Sequence, residues 1–303
     1  MGPVAVTGAT GFVGQALLDK AAAQGIAIRA LARREQAPRG GVEWVSGDLA
    51  DGAALARLVE GARAVLHIAG VVNAPDREGF HTGNVDGTEA LVAAASNAKV
   101  ERFVFVSSLA AREPGLSAYG RSKRHAEEIV QTSQLDWTIV RPPAIYGPRD
   151  REVLELFRAA RWRVVPMPPP GRSSLLHVAD LARLLLALVP GLPVARQRIF
   201  EPDDGREGGW SHGEFARAIG AAVERGVWVP HLPRRVLLMV ARIDRLLRRD
   251  GAKLTADRVG YMTHPDWVCA PAKAPPADLW QAQVSTADGL AATARWYRAQ
   301  NWL

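Results

Sequence analysis

A glycine-rich turn near the start of the chain constrains the fold more than any other feature. Residues Thr7-Gly8-Ala9-Thr10-Gly11-Phe12-Val13-Gly14 follow a short apolar run, Val4-Ala5-Val6, and open an Ala/Leu-rich stretch from Gln15 to Ala23. The run reads as a buried strand and the stretch after it as a helix. Glycines let the backbone between them turn tightly and approach a ligand closely. The helix then presents unpaired N–H groups at the positive end of its dipole. A dinucleotide's pyrophosphate fits such a turn. The spacing is Gly-x-x-Gly-x-x-Gly, not the Gly-x-Gly-x-x-Gly of the commoner fingerprint.

The following residues alternate strand and helix signals, as expected for a parallel sheet covered on both faces. Strands are expected at Ile26 to Leu31, Val42 to Val45, Ala64 to Ile68, Phe103 to Val106 and Trp137 to Val140. Helices are expected at Ala53 to Val59, Val85 to Ala95 and Ala118 to Thr132. Gly25 ends the first helix, and Arg141-Pro142-Pro143 end the last of these strands. From Gly147 the pattern loosens. Arg151 to Ala160 reads as helical, Pro166 to Gly171 as a loop, and His177 to Val189 as an apolar helix. Ser211-His212-Gly213-Glu214 is a capping box for a helix through Ala222.

Tyr119-Gly120-Arg121-Ser122-Lys123 opens the helix after the Phe103 to Val106 strand. Positions i and i+4 share a helix face, so Tyr119 and Lys123 point the same way. A tyrosine hydroxyl titrates near pH 10, and a nearby ammonium favours its phenolate. The pair makes a usable general acid and base. Ser107 and Ser108 lie just beyond the carboxyl end of the preceding strand, where open parallel sheets bind ligands. We expect Ser108 to hold a substrate carbonyl and Ser107 to cap the turn. The glycines that would make Ser107 a hydrolase nucleophile elbow are missing. No His/Cys/Asp cluster has metal-ligand spacing, so no metal is expected.

Bulk properties bound the rest. With 303 residues and 48% apolar content, the chain can build one large α/β domain with a smaller lobe. The formal charge of +7 comes largely from arginines spread along the chain. They form no stripe with interleaved aromatics, so nucleic acid is not an expected partner. The one cysteine, Cys269, fits a reducing compartment. A first strand at about Val4 argues against a signal peptide, and no apolar run reaches the roughly 18 residues of a membrane span. A cytoplasmic location is expected.

Taken together, these motifs resemble the extended short-chain dehydrogenase/reductases, the NAD(P)-dependent epimerase/dehydratase group. The matching pieces are the glycine turn, Gly47-Asp48-Leu49, His67-Ile68-Ala69-Gly70, Asn84-Val85-Asp86-Gly87-Thr88, Ser107-Ser108 and Tyr119-x-x-x-Lys123. Arg141-Pro142-Pro143-x-x-Tyr146-Gly147-Pro148 and His177-Val178-x-Asp180 also match. The resemblance implies an α/β, Rossmann-type doubly wound parallel sheet with a smaller, mostly helical C-terminal substrate lobe. Residues 1–146 and 176–198 would form the nucleotide domain, and 147–175 and 199–303 the lobe. Gly8, Gly11, Phe12, Val13 and Gly14 would carry the pyrophosphate. Asp48 and Leu49 would approach the adenine, and Ala69 and Gly70 line the nucleotide. Lys123 would bind the nicotinamide ribose and tune Tyr119, with Asn84 supporting it through a water. Pro142 to Ile145 would pack beside the nicotinamide. His177 and Asp180 are expected to be structural links between the lobes.

An acidic residue after the second strand would select NAD through its ribose 2′-hydroxyl. This chain has Ala32-Arg33-Arg34, which suits the 2′-phosphate of NADP, with NAD still open. Dehydratases of the group generally add an acidic pair after the catalytic Ser or Thr; here Leu109-Ala110 follow Ser108. That is similar to the branch of 3β-hydroxysteroid dehydrogenases and dihydroflavonol reductases. The implied reaction is hydride transfer between a carbonyl and a secondary alcohol, with Ser108, Tyr119 and Lys123 as the catalytic set. A sugar-nucleotide epimerase holding NAD tightly is the alternative. The intact catalytic set argues against a purely NADP-binding protein. Relatives often pair through two helices, here Val85 to Ala95 and Ala118 to Thr132, so a homodimer is implied. Finally, Arg234 to Arg249 reads as a basic amphipathic helix, with Val236, Leu237, Val240, Ile243 and Leu247 at helical spacing. We expect it to pack its apolar side on the second lobe, without contact to a membrane surface.

Overall fold

The computed structural model describes residues 2–303, without the side chain of Asp250. Along the chain the elements are β1 (Val4–Thr7), α1 (Phe12–Ala23), β2 (Ile28–Ala32), β3 (Val42–Ser46), α2 (Gly52–Val59), β4 (Ala64–His67), α3 (Arg77–His81), α4 (Gly87–Asn97), β5 (Arg102–Val106), α5 (Ala118–Thr132) and β6 (Asp136–Val140). There follow β7 (Ala144–Tyr146), α6 (Leu154–Arg161), β8 (Arg172–Ser173), β9 (Leu175–His177), α7 (Val178–Ala187), β10 (Arg198–Phe200), β11 (Trp210–Ser211), α8 (His212–Ala222), α9 (Arg234–Arg248), α10 (Ala256–Met262), β12 (Asp266–Trp267) and α11 (Thr286–Ala299). The chain divides into two compact units. The first comprises 1–142, 181–201 and 275–280, and the second 143–180, 202–274 and 281–303.

The first unit is a Rossmann-type α/β layer built on a seven-stranded parallel sheet, ordered β10-β6-β5-β4-β1-β2-β3. Its central strands β1, β4 and β5 are buried at every position, as a sheet covered on both faces requires. Leu55, Leu58, Leu91, Phe103 and Phe105 fill one side of it, each no more than 1% exposed. Each contributes about 1.5–3 kcal/mol by leaving water. The order reverses between β1 and β4. That is the switch point of an open α/β sheet, where the carboxyl ends of the strands leave a crevice.

Local chemistry explains the boundaries. The second strand begins at Ile28 rather than Ile26 because residues 24–26 close α1. Gly25 takes φ +63°, its N–H bonds Ala22 O at 3.2 Å, and Ile26 N–H bonds Ala21 O at 2.9 Å. This is a Schellman cap, which only a left-handed residue completes cheaply. The helix expected from Val85 begins earlier, with α3, and continues through a π-helical segment, Thr82–Asp86, into α4. The capping box at α8 is present in both halves: Glu214 N–H donates to Ser211 Oγ, and Ser211 N–H to Glu214 Oε2.

The unit boundaries differ from the expected ones. β10 pairs in parallel with β6, so the first unit runs on to Glu201 instead of stopping at 198. Residues 143–146 fall in the second unit, because β7 pairs with β9 there. Trp280, placed in the C-terminal lobe by sequence, belongs to the first unit, where the Arg183 guanidinium lies 5.9 Å from its ring. The second unit packs Phe157, Phe215, Ile219, Leu290 and Tyr297 into its own core, with Trp296 and Trp302 against it.

Candidate active site

The phosphate turn is shaped by close approach. Gly8 has φ +75°, and a Cβ there would stand 2.6 Å from Ala69 N. A Cβ on Gly14 would stand 2.2 Å from Gly8 O, whereas one on Gly11 would meet the same oxygen at 3.3 Å. Gly8 and Gly14 are therefore sterically required, and Gly11 is held by a tight contact rather than an outright clash. Gly11 is the N-cap of α1 and offers no side chain to it, and no acidic residue stands in the first turn. The leading N–H groups of α1 remain open for an anion. Phe12 and Val13 are half-buried behind that end. This cradle fits a dinucleotide pyrophosphate.

A buried polar chain ties the turn to α5. Thr88 Oγ1 donates to Asn84 O at 2.6 Å, so it accepts from His67 Nε2 at 2.9 Å. His67 Nδ1 then accepts from Thr7 Oγ1 at 2.7 Å, and Ala69 N–H reaches the same Thr7 oxygen at 3.3 Å. The ring is neutral: burial, with help from the nearby Lys123 charge, lowers its pKa to about 3. Asn84, on the π-helical segment, accepts from Val71 N–H at 2.7 Å and donates to Val71 O and Ser122 Oγ, both at 2.9 Å. Its amide thus fixes the loop after Gly70 and the residue beside Lys123. Its Oδ1 and Lys123 Nζ lie 3.2 and 3.4 Å from where a Cβ on Gly70 would stand.

Lys123 is the centre of the site. It is buried, and its Nζ donates to Val106 O at 2.8 Å and lies 4.4 Å from the centre of the Phe105 ring. Burial lowers its pKa to about 8, an effect that the negative charge of Glu127 opposes. At neutral pH it remains an ammonium. Tyr119, half-buried one turn earlier on α5, has its ring 6.1 Å from Phe80. Ser117 caps α5 by accepting from Gly120 N–H at 2.9 Å. A Cβ on Gly120 would stand 2.7 Å from Ala110 O. Glycine there lets α5 approach the short turn that follows Ser108. Ser108 Oγ accepts from Ala110 N–H at 3.2 Å, which leaves the hydroxyl proton to donate elsewhere. Its capping role and the expected catalytic role are compatible.

Below these residues lies an ion network that sequence reasoning missed. Ser107 Oγ donates to Glu127 Oε1 at 2.5 Å, and Arg141 binds the same carboxylate bidentately at 2.8 and 2.6 Å. Arg141 also reaches Glu201 at 3.4 Å. Burial alone would lower the Arg141 pKa, but its bonds to Glu127 and the charges of Glu127 and Glu201 raise it. Ser107, expected to cap the turn, instead donates to Glu127, and Ser108 caps the turn that follows. The available signal was spacing: Tyr119, Lys123 and Glu127 stand at i, i+4 and i+8 on one helix face.

The remaining expected residues are placed as follows. Arg33 and Arg34 are exposed just after β2, and neither guanidinium has a hydrogen bond or ion pair among the described residues. Asp48 is exposed and accepts from Ala50 N–H at 2.9 Å; Leu49 packs against Gly87. Pro142 is buried, and its carbonyl accepts from Leu109 N–H at 3.0 Å. Ile145 lies in β7 of the second unit, paired with Leu176. In that unit Asp180 accepts from Gln283 and Val284 N–H, and His177 accepts from Ala179 N–H.

A Rossmann-type sheet, an open phosphate cradle at its switch point and a Tyr-x-x-x-Lys helix beside it define a nicotinamide-nucleotide-dependent enzyme. The chain belongs to the NAD(P)H-binding family, whose model matches residues 8–189, and is of the extended short-chain dehydrogenase/reductase, epimerase/dehydratase type. It is 40% identical to a ceramide reductase of Caulobacter vibrioides, over 100% of this chain and 96% of that protein. A 4-hydroxy-2-methyl-3-oxo-4-farnesyl-3,4-dihydroquinoline-1-oxide ketoreductase of Stigmatella aurantiaca is 32% identical over 61% of this chain and 64% of its own. Among solved structures, MoeE5 in complex with UDP-glucose and NAD superposes with a TM-score of 0.74 at 23% identity, covering 99% of this chain and all of that one. The chain is thus an NAD(P)-dependent oxidoreductase.

Proposed function

We propose that the protein reduces a ketone on a long-chain, ceramide-like lipid to a secondary alcohol, using NADPH. The observation that carries this is the Lys123 ammonium, buried and aimed by Val106 O on the helix face shared with Tyr119, on a helix that packs closely on the turn following Ser108. The full-length similarity to a ceramide reductase supports the substrate class. Bound NADPH supplies the hydride. The α1 N-terminus and the Gly8 to Gly14 turn would hold its pyrophosphate, and Arg33 and Arg34 its 2′-phosphate. Ser108 donates a hydrogen bond to the substrate carbonyl oxygen and fixes its direction. Tyr119 donates its phenolic proton to that oxygen as the carbon accepts hydride. The Lys123 ammonium stabilises the phenolate left behind and binds the ribose hydroxyls. The second unit serves as the substrate lobe in this reading.

The test is stoichiometric NADPH oxidation with a keto-ceramide, beside epimerisation of a UDP-hexose. One NADPH consumed per alcohol formed is the expected result; epimerisation without net NADPH consumption would replace the reading. Cofactor choice has its own test. Arg33→Ala/Arg34→Ala is expected to weaken NADPH binding by about 10- to 100-fold, the worth of one or two charge-assisted hydrogen bonds, and NADH binding by little. Titration calorimetry with both nucleotides reads it. Equal losses for both would assign the arginines elsewhere.

A further inference from the structure

Helix α9 packs Leu237, Leu238 and Ala241 against Val259 and Leu254 of the second unit, but leaves Val240, Ile243 and Leu247 of the expected apolar side exposed. Only Leu237 and Ala241 are buried. Met239, Val240, Ile243, Leu246 and Leu247 are 55%, 40%, 49%, 80% and 79% exposed. At 3.6 residues per turn these five fall within about 120° of the helix circumference. Arg235, Arg242 and Arg245 occupy roughly the next 80°, exposed and without an ion pair among the described residues. The one acid on the helix, Asp244, lies toward the buried side, where it accepts from Lys253 and Leu254 N–H and pairs with Arg248. An exposed apolar stripe beside a row of unpaired guanidiniums is costly in water alone. The same unit exposes Trp162 and Trp228, 84% and 69%, residues that favour the headgroup level of a bilayer.

We propose that α9 is a membrane-docking helix, lying flat on an anionic lipid surface with the Met239–Leu247 stripe below the headgroups and the arginines on their phosphates. Charge complementarity selects this occupant: Arg235, Arg242 and Arg245 run along one edge of the stripe, the acids on its other edge, Asp244 and Glu155, are paired with Arg248 and Lys253, and the chain carries a net +7. Among the described residues no helix is long and apolar enough to cross a membrane, so the contact is a surface one. The inference stands apart from the reductase reading, because it is tested by binding without turnover.

The experiment is co-sedimentation with phosphatidylcholine vesicles, with and without phosphatidylglycerol, at about 50 mM and about 500 mM salt. Wild-type protein should pellet with the anionic vesicles at low salt and stay in solution with the neutral ones. Leu246→Glu/Leu247→Glu should lower the bound fraction about tenfold or more, and Arg235→Ala/Arg242→Ala/Arg245→Ala should remove the preference for phosphatidylglycerol. These sites are exposed, so unchanged Tm and NADPH binding should confirm the fold. Wild-type protein remaining in solution with anionic vesicles would overturn the proposal, as would undiminished pelleting of the leucine variant. A dimer split by that variant in sedimentation velocity would assign the stripe to a second copy of the chain instead.

Discussion

Replacing Tyr119 by phenylalanine is expected to lower kcat by about 10²–10⁴-fold, the usual worth of a positioned general acid. The ring stays, so its packing beside Phe80 is retained. The Lys123 ammonium stays as well, because Val106 O and burial among β5 and α5 hold it independently of the phenol. Cofactor affinity should therefore change little, and the loss should fall on kcat rather than on KM. Lys123→Met should differ in kind: it removes the cation that stabilises the phenolate and also weakens nucleotide binding. Steady-state kinetics with NADPH titrations for both variants separates these outcomes. A Tyr119→Phe enzyme retaining activity within about threefold would remove the hydroxyl from the chemistry.

Glu127→Ala is expected to destabilise the protein by about 3–5 kcal/mol, although Glu127 touches no substrate atom. The carboxylate is fully buried between the Arg141 guanidinium and the Ser107 hydroxyl. Its removal leaves a buried cation with only Glu201 at 3.4 Å, and leaves Ser107 without its acceptor. An unpaired buried charge costs more than a lost contact, because its hydration is not recovered. The neighbouring Ser108 should lose its fixed position at the same time. Glu127→Gln keeps the volume and one acceptor, so it should fall between the two. Urea unfolding of the three proteins checks the order. A cost below about 1 kcal/mol for Glu127→Ala would mean that Glu201 alone compensates Arg141.

Much of this was legible in the sequence where a signal is local. The glycine turn, the bounds of α5, and the α8 capping box each follow from residues within a few positions of one another. The Tyr119/Lys123 pair was legible through helical spacing. What was not legible depends on distant pairing. β10 is three residues long and exists because it lies beside β6, nearly sixty residues earlier. The His67, Thr7 and Thr88 chain and the Arg141, Glu127 and Glu201 network join residues from strands and helices far apart in sequence. Helix α9 shows a second limit. Its apolar period reads identically whether the stripe faces a core or the outside, and only its exposure decides between them.

The most direct measurement follows the hydride itself. Purified protein is given NADPH deuterated at the transferring carbon together with a keto-ceramide, and the lipid product is analysed by mass spectrometry. The expected result is one deuterium on the carbinol carbon per NADPH consumed, with labelled product forming about 10²–10⁴-fold more slowly in the Tyr119→Phe reaction. Intact NADPH and unlabelled lipid, with a UDP-hexose epimerised in the same preparation, would contradict a carbonyl reductase built on Ser108, Tyr119 and Lys123.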